Sequence, residues 1–384
     1  MNQDSGARNP GIDLLRGLSI LLVVLLHVGI RIPLKRTALG AIVLHRLLDA
    51  LTNNGYEAVF VFFVISGFLI TGNALRRWNS LNHIGLKGFY ARRFARIAPL
   101  LLSLVLVLSA LHLFRVHDYV ITNPKQSLGG AVLAALGLHL NWYEGHTGYL
   151  PGNWDVLWSL SIEEVFYLGF PIVCLLTRRV WILAPLLVLL ALSLPVTHAA
   201  LAYNPIWQEK AYLPGMAAIA TGVLGALIAA RFNPPRHWII TGLCIIGAIG
   251  LGSVLLVENV LWSWLRDATL LVLTVSTALL LVGLHWRQMV VRSPGFPGFG
   301  WLRSFGRYSY EIYLTHMFAV YGVITLFVTS GADVHFGYLW YLPAIGVSWL
   351  LGMLAARYFS FPSDHALRNV LLKTQQYASQ SATL

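Results

Sequence analysis

The sequence predicts an all-α, polytopic membrane helix bundle of about ten transmembrane helices. Hydrophobic residues make up 57% of the 384-residue chain and charged residues only 11%, whereas a soluble globular domain is roughly 25% charged. Apolar runs of about 20 residues, the length that crosses a bilayer core, recur along the whole chain. No segment between them is long enough to bury its own core. We therefore expect a single integral-membrane domain over residues 1–384, with its core at about 10–360.

Ten of the apolar runs are predicted to be membrane spans. They cover residues 12–30, 54–74, 97–114, 158–177, 180–198, 211–230, 238–257, 267–285, 308–330 and 338–359. The first run is too long for the apolar region of a signal peptide, so we expect it to remain as a helix. Another apolar run, 126–142, is shorter and rich in glycine, and it could instead cross the membrane or form a re-entrant or interfacial helix.

The basic residues decide how the chain is oriented. If the N-terminus is cytoplasmic and 126–142 does not span, most of the 27 lysines and arginines fall on the cytoplasmic side, as the positive-inside rule requires. The first outer loop, which is itself basic, is an exception. We predict ten spans in the inner membrane with both termini cytoplasmic, and a partly disordered cytoplasmic tail over 361–384.

The net charge and the cysteines indicate no further class of partner. Positive-inside topology accounts for the net charge of +12, so the charge gives no reason to expect nucleic-acid binding. Cys174 and Cys244 both lie inside apolar runs. They are typical of small buried hydrophobic residues rather than of a disulfide or a metal site, and we expect no metal.

The first span, RGLSILLVVLLH, contains two ionisable residues. Such a residue costs about 2.5–3.5 kcal/mol on insertion scales and indicates function by default. In the predicted topology Arg16 lies near the cytoplasmic end, and His27 lies roughly 16 Å further along the helix axis, towards the outer leaflet. The alternatives are that Arg16 reaches lipid phosphate and that His27 is a hydrogen-bonded structural histidine.

The stretch WSLSIEEVFY places Ser159 and Glu163 on one helix face, with Tyr167 one turn further. Glu163 is predicted at a depth similar to that of His27. A histidine paired with a carboxylate suits general-base catalysis, because the carboxylate fixes the tautomer and stabilises the imidazolium. The alternative is a helix start, with serine as the N-cap and glutamate complementing the helix dipole, which leaves the adjacent Glu164 less well explained.

The stretch LKGFYARRFARIAP places Arg93 and Arg96 three residues apart, so that their guanidinium groups can converge on one ligand. Paired arginine forks suit phosphates. The alternative is ordinary positive-inside anchoring or binding of anionic lipid.

Two further spans contribute weaker features. Glu57 lies near the outer end of the second span, and Ser66 lies deeper beside a glycine that would allow backbones to approach closely. The stretch RYSYEIYLTH places His316 near mid-membrane with Tyr313 beside it. Glu311 lies in the same helix but could instead be near the inner surface, so we do not count it as a candidate.

Together these stretches resemble the family 3 membrane acyltransferases, which O-acylate bacterial surface polysaccharides, lipopolysaccharide among them, and some macrolides. The resemblance covers nearly the whole chain, from GIDLLRGLSILLVVLLH through VFFVISGFLIT, YARRFARIAP and WSLSIEEVFY to YSYEIYLTH. Its specificity comes from the combination of Arg16-x10-His27, Arg93-x2-Arg96 and Ser159-x3-Glu163 in the family's order.

The resemblance implies a ten-helix fold and an acyl donor, usually acyl-CoA, that approaches from the cytoplasm, with no permanently bound cofactor. It assigns Arg16, Arg93 and Arg96 to the donor, and His27, Glu163 and Ser159 to the chemistry. Candidate supporting residues are Asp13, Glu57, Ser66, Glu164, Tyr167, Tyr313 and His316. Some members carry a fused extracytoplasmic hydrolase-like domain; because this chain ends soon after its last predicted span, we expect none here.

The expected mechanism joins these assignments. Coenzyme phosphates bind at Arg93 and Arg96, and the pantetheine arm, whose length is comparable to the Arg16–His27 rise, lies along the first helix. His27 then removes the proton of an acceptor hydroxyl while Glu163 supports the imidazolium; an acyl-histidine intermediate is a less favoured variant. A transporter or flippase of a polar solute or glycan precursor is the main alternative, and a non-catalytic lipid-binding scaffold is a weaker one. The acceptor and the oligomeric state are not predicted, and acetyl is the commonest acyl group to expect.

Overall fold

The computed structural model of the chain describes residues 8–291, 295 and 297–381, apart from the side chains of 258, 259 and 373–381. Its helices of eight residues or more are α1 (Pro10–Gly29), α2 (His45–Thr52), α3 (Gly55–Trp78), α4 (Leu86–Leu113), α5 (Leu128–Leu136), α6 (Leu140–Thr147), α7 (Trp158–Thr177), α8 (Val180–Leu192), α9 (Tyr212–Arg231), α10 (His237–Leu265), α11 (Ala268–Val291), α12 (Gly300–Arg307), α13 (Ser309–Thr329), α14 (Tyr341–Ala355) and α15 (Phe361–Ser381). Shorter helical segments are Leu34–Arg36, Leu39–Ile42, Leu81–His83, Gly152–Asp155, Leu194–Ala199, Pro205–Lys210, Val334–Trp340 and Ala356–Ser360. The described residues contain no strand, and the predicted all-helical bundle is confirmed.

Nine helical segments of the described chain are long and apolar enough to cross a membrane. They are Pro10–Gly29, Gly55–Trp78, Leu86–Leu113, Gly152–Thr177, Pro205–Arg231, His237–Val257, Ala268–Val291, Ser309–Thr329 and Val334–Leu372. Each coincides with one of the ten predicted spans.

The remaining predicted span, 180–198, consists of two helices instead of one. α8 covers only 13 residues, and Leu194–Ala199 follows it. The backbone N–H of Ser193 donates to the carbonyl of Leu189, and that of Thr197 donates to the carbonyl of Ser193. The helical hydrogen bonds thus continue through the junction, and the two helices together have about the 30 Å length of a crossing segment.

The segment 126–142 forms α5 and the start of α6. α5 has nine residues and is therefore about 14 Å long, too short to cross a hydrocarbon core of about 30 Å. The chain breaks after it at Leu138, which has a positive φ of 58°. The short helices agree with the non-spanning alternative on which the predicted topology rests.

The last predicted span, 338–359, extends further than the sequence indicated. A π-helical turn at Ala356–Ser360 leads directly into α15, so the helical segment continues across the boundary that was drawn at residue 360. Asp364 in the first turn of α15 is buried and forms an ion pair with Arg368 at 2.6 Å. The beginning of the predicted tail is therefore helical and packed against the bundle.

Glycine allows α3 and α9 to approach within backbone contact. A Cβ placed on Gly67 would lie 2.0 Å from the carbonyl oxygen of Ile219, and one on Gly222 would lie 1.9 Å from that of Val64. Small residues at such crossings are the usual means of close helix packing in membranes. This contact fixes α3, which carries Ser66, against the rest of the bundle.

Glycines also allow α1 and α12 to approach within backbone contact. A Cβ on Gly17 would lie 2.0 Å from the carbonyl oxygen of Leu302, and one on Gly306 would lie 1.8 Å from that of Asp13. Because α12 leads directly into α13, this crossing sets α1 and α13 side by side.

We expect Gly222→Ala to lower the melting temperature of the purified protein in detergent, because the added methyl group must push α3 and α9 apart. Overpacking of this kind costs about 1–3 kcal/mol. Gly72→Ala is the matched control, since a Cβ at that position of α3 meets nothing within 4 Å. Equal melting temperatures for the two variants, measured by scanning fluorimetry, would contradict the proposed close crossing.

Candidate active site

The predicted donor arginine of the first helix contacts the start of α13. Asn9 caps α1 by accepting from the backbone N–H groups of Gly11 and Ile12. From the second turn, Arg16 donates through Nη2 to Ser309 Oγ at 2.8 Å. Asp13, a candidate supporting residue, instead lies 3.4 Å from the Arg8 guanidinium.

Arg96 belongs to a second cluster beside this contact. Its Nη1 lies 2.7 Å from Glu311 Oε1 and donates to Ser360 Oγ at 2.9 Å, while Ser360 donates to the same carboxylate oxygen at 2.8 Å. The guanidinium also lies 4.9 Å from the ring centroid of Tyr310. Glu311, which was discounted as a residue that could lie near the inner surface, is fully buried and belongs to this cluster.

Arg93 belongs to a third cluster, formed between α4, α7 and α3. It donates to Glu164 Oε1 through Nε at 2.8 Å and through Nη2 at 2.6 Å, and to Glu163 Oε2 through Nη2 at 3.3 Å. Its guanidinium lies 3.8 Å from the ring centroid of Tyr167. Ser66 donates to Glu163 Oε2 at 3.0 Å and is also hydrogen-bonded to the Tyr167 hydroxyl. All five predicted residues of this region therefore meet.

The two histidines predicted to lie inside the membrane meet as well. The rings of His27 and His316 are stacked, with centroids 5.1 Å apart and planes inclined by 29°. His316 Nδ1 lies 2.8 Å from the carbonyl oxygen of Tyr313 and 3.2 Å from that of Ile312. Carbonyl oxygens only accept, so Nδ1 carries the proton of the neutral ring and Nε2 is an acceptor. Ser159 donates to the Tyr313 hydroxyl at 2.7 Å beside this pair.

The structure does not pair His27 with Glu163. Among the described residues, no hydrogen bond or ring contact joins the two. Glu163 is engaged by Arg93 and Ser66, and His27 packs on His316. The sequence predicted that His27 and Glu163 lie at a similar depth in the membrane. It did not predict which neighbouring helix each side chain faces, and for that reason the partner of His27 was not identified.

The two predicted phosphate-binding arginines do not converge on one point either. Although Arg93 and Arg96 are three residues apart, each is held by a different carboxylate, on α7 and α13 respectively. Both remain partly accessible, with 23% and 24% of their side chains exposed. Nε and Nη2 of Arg96 make no hydrogen bond within the described part of the chain, so they remain available as donors to a ligand.

A polar cluster near the opposite end of α7 was not anticipated. Lys210 is completely buried and donates to Glu144 Oε2 at 2.9 Å and to Asp155. Glu144 also accepts from the backbone N–H of Leu150 at 3.0 Å. The cluster fastens the loop between α4 and α7 to the start of α9. Periodicity offers no signal for it, because all its members lie in short or irregular segments.

The sequence also led us to expect no metal site, and it indicated Glu57 as a candidate supporting residue. Within the described residues, no three histidine, cysteine or acidic side chains are grouped as metal ligands would be. Glu57 lies apart from the clusters described above and lines a cavity of about 250 Å³ at the N-terminal end of α3.

The clusters occur in a polytopic helical membrane protein, and comparison with known proteins identifies its class. The family model described as "Acyltransferase domain" matches residues 9–358, and the chain therefore belongs to this acyltransferase family, as its motifs predicted. It is a multi-pass membrane protein. No solved structure matches the chain significantly.

Individual relatives agree with the family. The peptidoglycan O-acetyltransferase OatA of Listeria monocytogenes is 30% identical over 189 residues, which are 47% of this chain and 29% of that protein. The O-acetyltransferase OatA of Staphylococcus aureus is 24% identical over 357 residues, 86% of this chain and 56% of the relative. A putative O-acetyltransferase of Staphylococcus aureus strain COL is 24% identical over 350 residues, 84% of this chain and 52% of the relative. The chain thus spans about half the length of the relatives that it matches most fully.

We expect Arg93→Ala to destabilise the protein strongly, because it leaves two largely buried carboxylates unpaired. Removing one partner of a buried ion pair typically costs about 3–5 kcal/mol. Lys87→Ala is the control, since Lys87 is an exposed cation of the same helix. Adding Glu163→Gln and Glu164→Gln to the Arg93→Ala variant should restore part of the melting temperature. A melting temperature for Arg93→Ala equal to that of Lys87→Ala would show that the ion pairs do not hold α4 to α7.

Proposed function

We propose that the protein is a membrane O-acetyltransferase that moves an acetyl group from cytoplasmic acyl-CoA to a hydroxyl of an extracytoplasmic or membrane-associated glycan. Family membership and the names of the relatives support the reaction class. The observation that carries the proposal is a column of polar groups inside an apolar bundle. It comprises the contacts of Arg16, Arg96 and Arg93 and, higher along α1, the stacked His27 and His316.

The donor is proposed to bind at the basic end of this column. Arginine is suited to phosphate because its guanidinium presents several N–H donors in a fixed plane. Arg96 keeps two nitrogens without a hydrogen-bond partner in the described residues while Glu311 holds a third. Glu311 thus orients the Arg96 guanidinium and leaves the edge formed by Nε and Nη2 available for an anion. Most basic residues lie at this end in the topology predicted from sequence, which supports entry of the coenzyme from the cytoplasm.

The acyl group is proposed to reach His27 along α1. His27 lies roughly 16 Å from Arg16 along the helix axis, a separation comparable to the extended pantetheine arm. The arm is neutral, so it can pass a largely apolar wall without an additional charge partner. Arg93, one turn before Arg96 on α4, belongs to the basic end, and its charge is offset by Glu163 and Glu164.

At the reacting end, His27 acts as the general base. The imidazole takes the proton of the acceptor hydroxyl, the oxygen attacks the thioester carbonyl, and the carbon–sulfur bond breaks. The coenzyme thiolate then leaves and takes the proton from the His27 imidazolium, which restores the neutral base. Such general-base assistance contributes about 10²–10⁴-fold to the rate. The reaction as written needs no metal ion, oxidant or reductant.

His316 is proposed as the positioning residue for His27, the role that sequence analysis gave to Glu163. Its backbone hydrogen bonds fix the tautomer of the neutral ring, and in that form His316 permits His27 to gain a proton without facing a second charge. Glu163 contributes at a distance by offsetting the charge of Arg93.

The proposal is tested by acetyl transfer in nanodiscs. The purified protein is given acetyl-CoA and a cell-wall glycan fraction, and acetylated glycan is measured by mass spectrometry. His27→Ala should lower acetyl transfer by at least about 10²-fold, while its melting temperature and its acetyl-CoA binding remain close to those of the unaltered protein. His45→Ala, a change at an exposed histidine outside the column, should transfer normally. Near-normal transfer by His27→Ala would exclude His27 as the base.

A further inference from the structure

The cavity next to Glu57 is separate from the donor arginines and has a different chemistry. It lies between the N-terminal end of α3, the short helix Pro205–Lys210, and the junction of α10 with α11. In the predicted topology this is the extracytoplasmic end of the bundle. Its volume of about 250 Å³ is slightly below the usual range for small-molecule sites of about 300–1,000 Å³. It therefore suits a small ligand or one ring of a larger one.

The cavity combines aromatic and polar walls. Tyr56 and Trp262 contribute flat apolar faces, and Gln208 contributes an amide that can both donate and accept. His198 is oriented by Asp267, whose Oδ1 lies 2.6 Å from Nδ1 of the ring. Aromatic faces with polar groups around their edge are suited to a ring that is apolar on its faces and carries hydroxyls at its rim.

Thr269 adds a buried polar group to the wall of the cavity. Its side chain lines the cavity and is only 2% exposed, yet its hydroxyl has no hydrogen-bond partner among the described residues. Buried hydroxyls are almost always paired, because leaving one unpaired costs free energy. The threonine lies in the first turn of α11, where its hydroxyl could instead have bonded to the backbone. The hydroxyl has almost no accessible surface, so a ligand group in the cavity can bond to it only after rotation about the Cα–Cβ bond.

The charges of the cavity exclude an anionic ligand. Glu57 and Glu209 are among the lining residues, and Asp267 lies behind His198. No lysine or arginine is among the side chains that line this described region. Lys210, which follows Glu209, is directed to Glu144 and Asp155 instead. Carboxylates accept hydrogen bonds from hydroxyl groups but repel phosphates. The coenzyme is thus disfavoured here, whereas a neutral ligand rich in hydroxyls is favoured.

The cavity adjoins the segments that carry the reacting groups. Gly55 at the start of α3 packs so closely on Leu26 that a Cβ there would lie 2.4 Å from the leucine side chain. Leu26 directly precedes His27. On the other side, the Tyr56 ring lies 6.5 Å from that of Trp158, the residue before Ser159.

We propose that this cavity binds one neutral sugar ring of the acceptor, held by Trp262, Glu57 and Thr269 next to the His27 centre. This assignment rests on the proposed function, because it gives the cavity the acceptor of that reaction. Sugar binding itself is a separate property that does not require acetyl transfer.

The probe is methyl β-D-glucopyranoside, and its binding to the full-length protein in nanodiscs is followed by saturation-transfer NMR. We expect saturable binding of this sugar and binding of glucose 6-phosphate at least about tenfold weaker, since the carboxylates repel the phosphate. Thr269→Val and Trp262→Ala should each weaken sugar binding by about two- to tenfold. Thr269→Val removes a hydroxyl that has no protein partner, so the melting temperature should not fall.

Trp264→Ala is the matched control, because Trp264 lies two residues from Trp262 and is 85% exposed. It should bind the sugar as the unaltered protein does. Absence of saturable sugar binding, or equal binding by the cavity variants and Trp264→Ala, would overturn the proposal even if acetyl transfer is observed. Sugar binding with these losses but without any acetyl transfer would support the cavity and refute the proposed function.

Discussion

The structure depends on one constraint: ionisable groups inside an apolar membrane bundle must be paired within the protein. An isolated buried charge is very costly, and a pair is tolerated only when its remaining hydrogen bonds are satisfied. Arg93 meets this requirement with Glu163, Glu164 and the face of Tyr167. These contacts join α4 to α7, and Ser66 adds α3 to the same point. The residues that define the family motifs are therefore also those that hold the helices together at the site.

Along α1 and α13 the charged groups and the two histidines lie at different heights. At one end Arg16 and Arg96 contact α13 and retain donors for an anion. At the other end the stacked His27 and His316 carry no formal charge in their neutral forms. A donor with a charged head and a neutral arm matches that order. Close glycine crossings make the arrangement rigid, because they set α1 against α12 and α3 against α9 at backbone contact distance.

Much of this was predictable from sequence, and the remainder has a common physical reason. Hydropathy located the spans because a bilayer imposes their length, and the charge bias correctly kept 126–142 from being counted among them. The grouping of Arg93 with Glu163, Glu164 and Ser66 involves residues that the motifs had singled out. The partner of His27 was missed because periodicity determines depth and face within one helix but not which neighbouring helix that face meets. Glu311 was discounted for the same reason, since its partners Arg96 and Ser360 lie on other helical segments.

The central claim is that the basic end of the polar column holds the coenzyme phosphates while the chemistry takes place at His27. Steady-state kinetics of Arg96→Gln with two donors, acetyl-CoA and S-acetylpantetheine, test it most directly, because the second donor lacks the nucleotide and its phosphates. Loss of a charge-assisted hydrogen bond of about 1.5–3 kcal/mol should raise the KM for acetyl-CoA by about ten- to a hundredfold. The kcat/KM for S-acetylpantetheine should be unchanged. An equal loss with both donors would contradict the account, because Arg96 would then support the fold without contacting the phosphates.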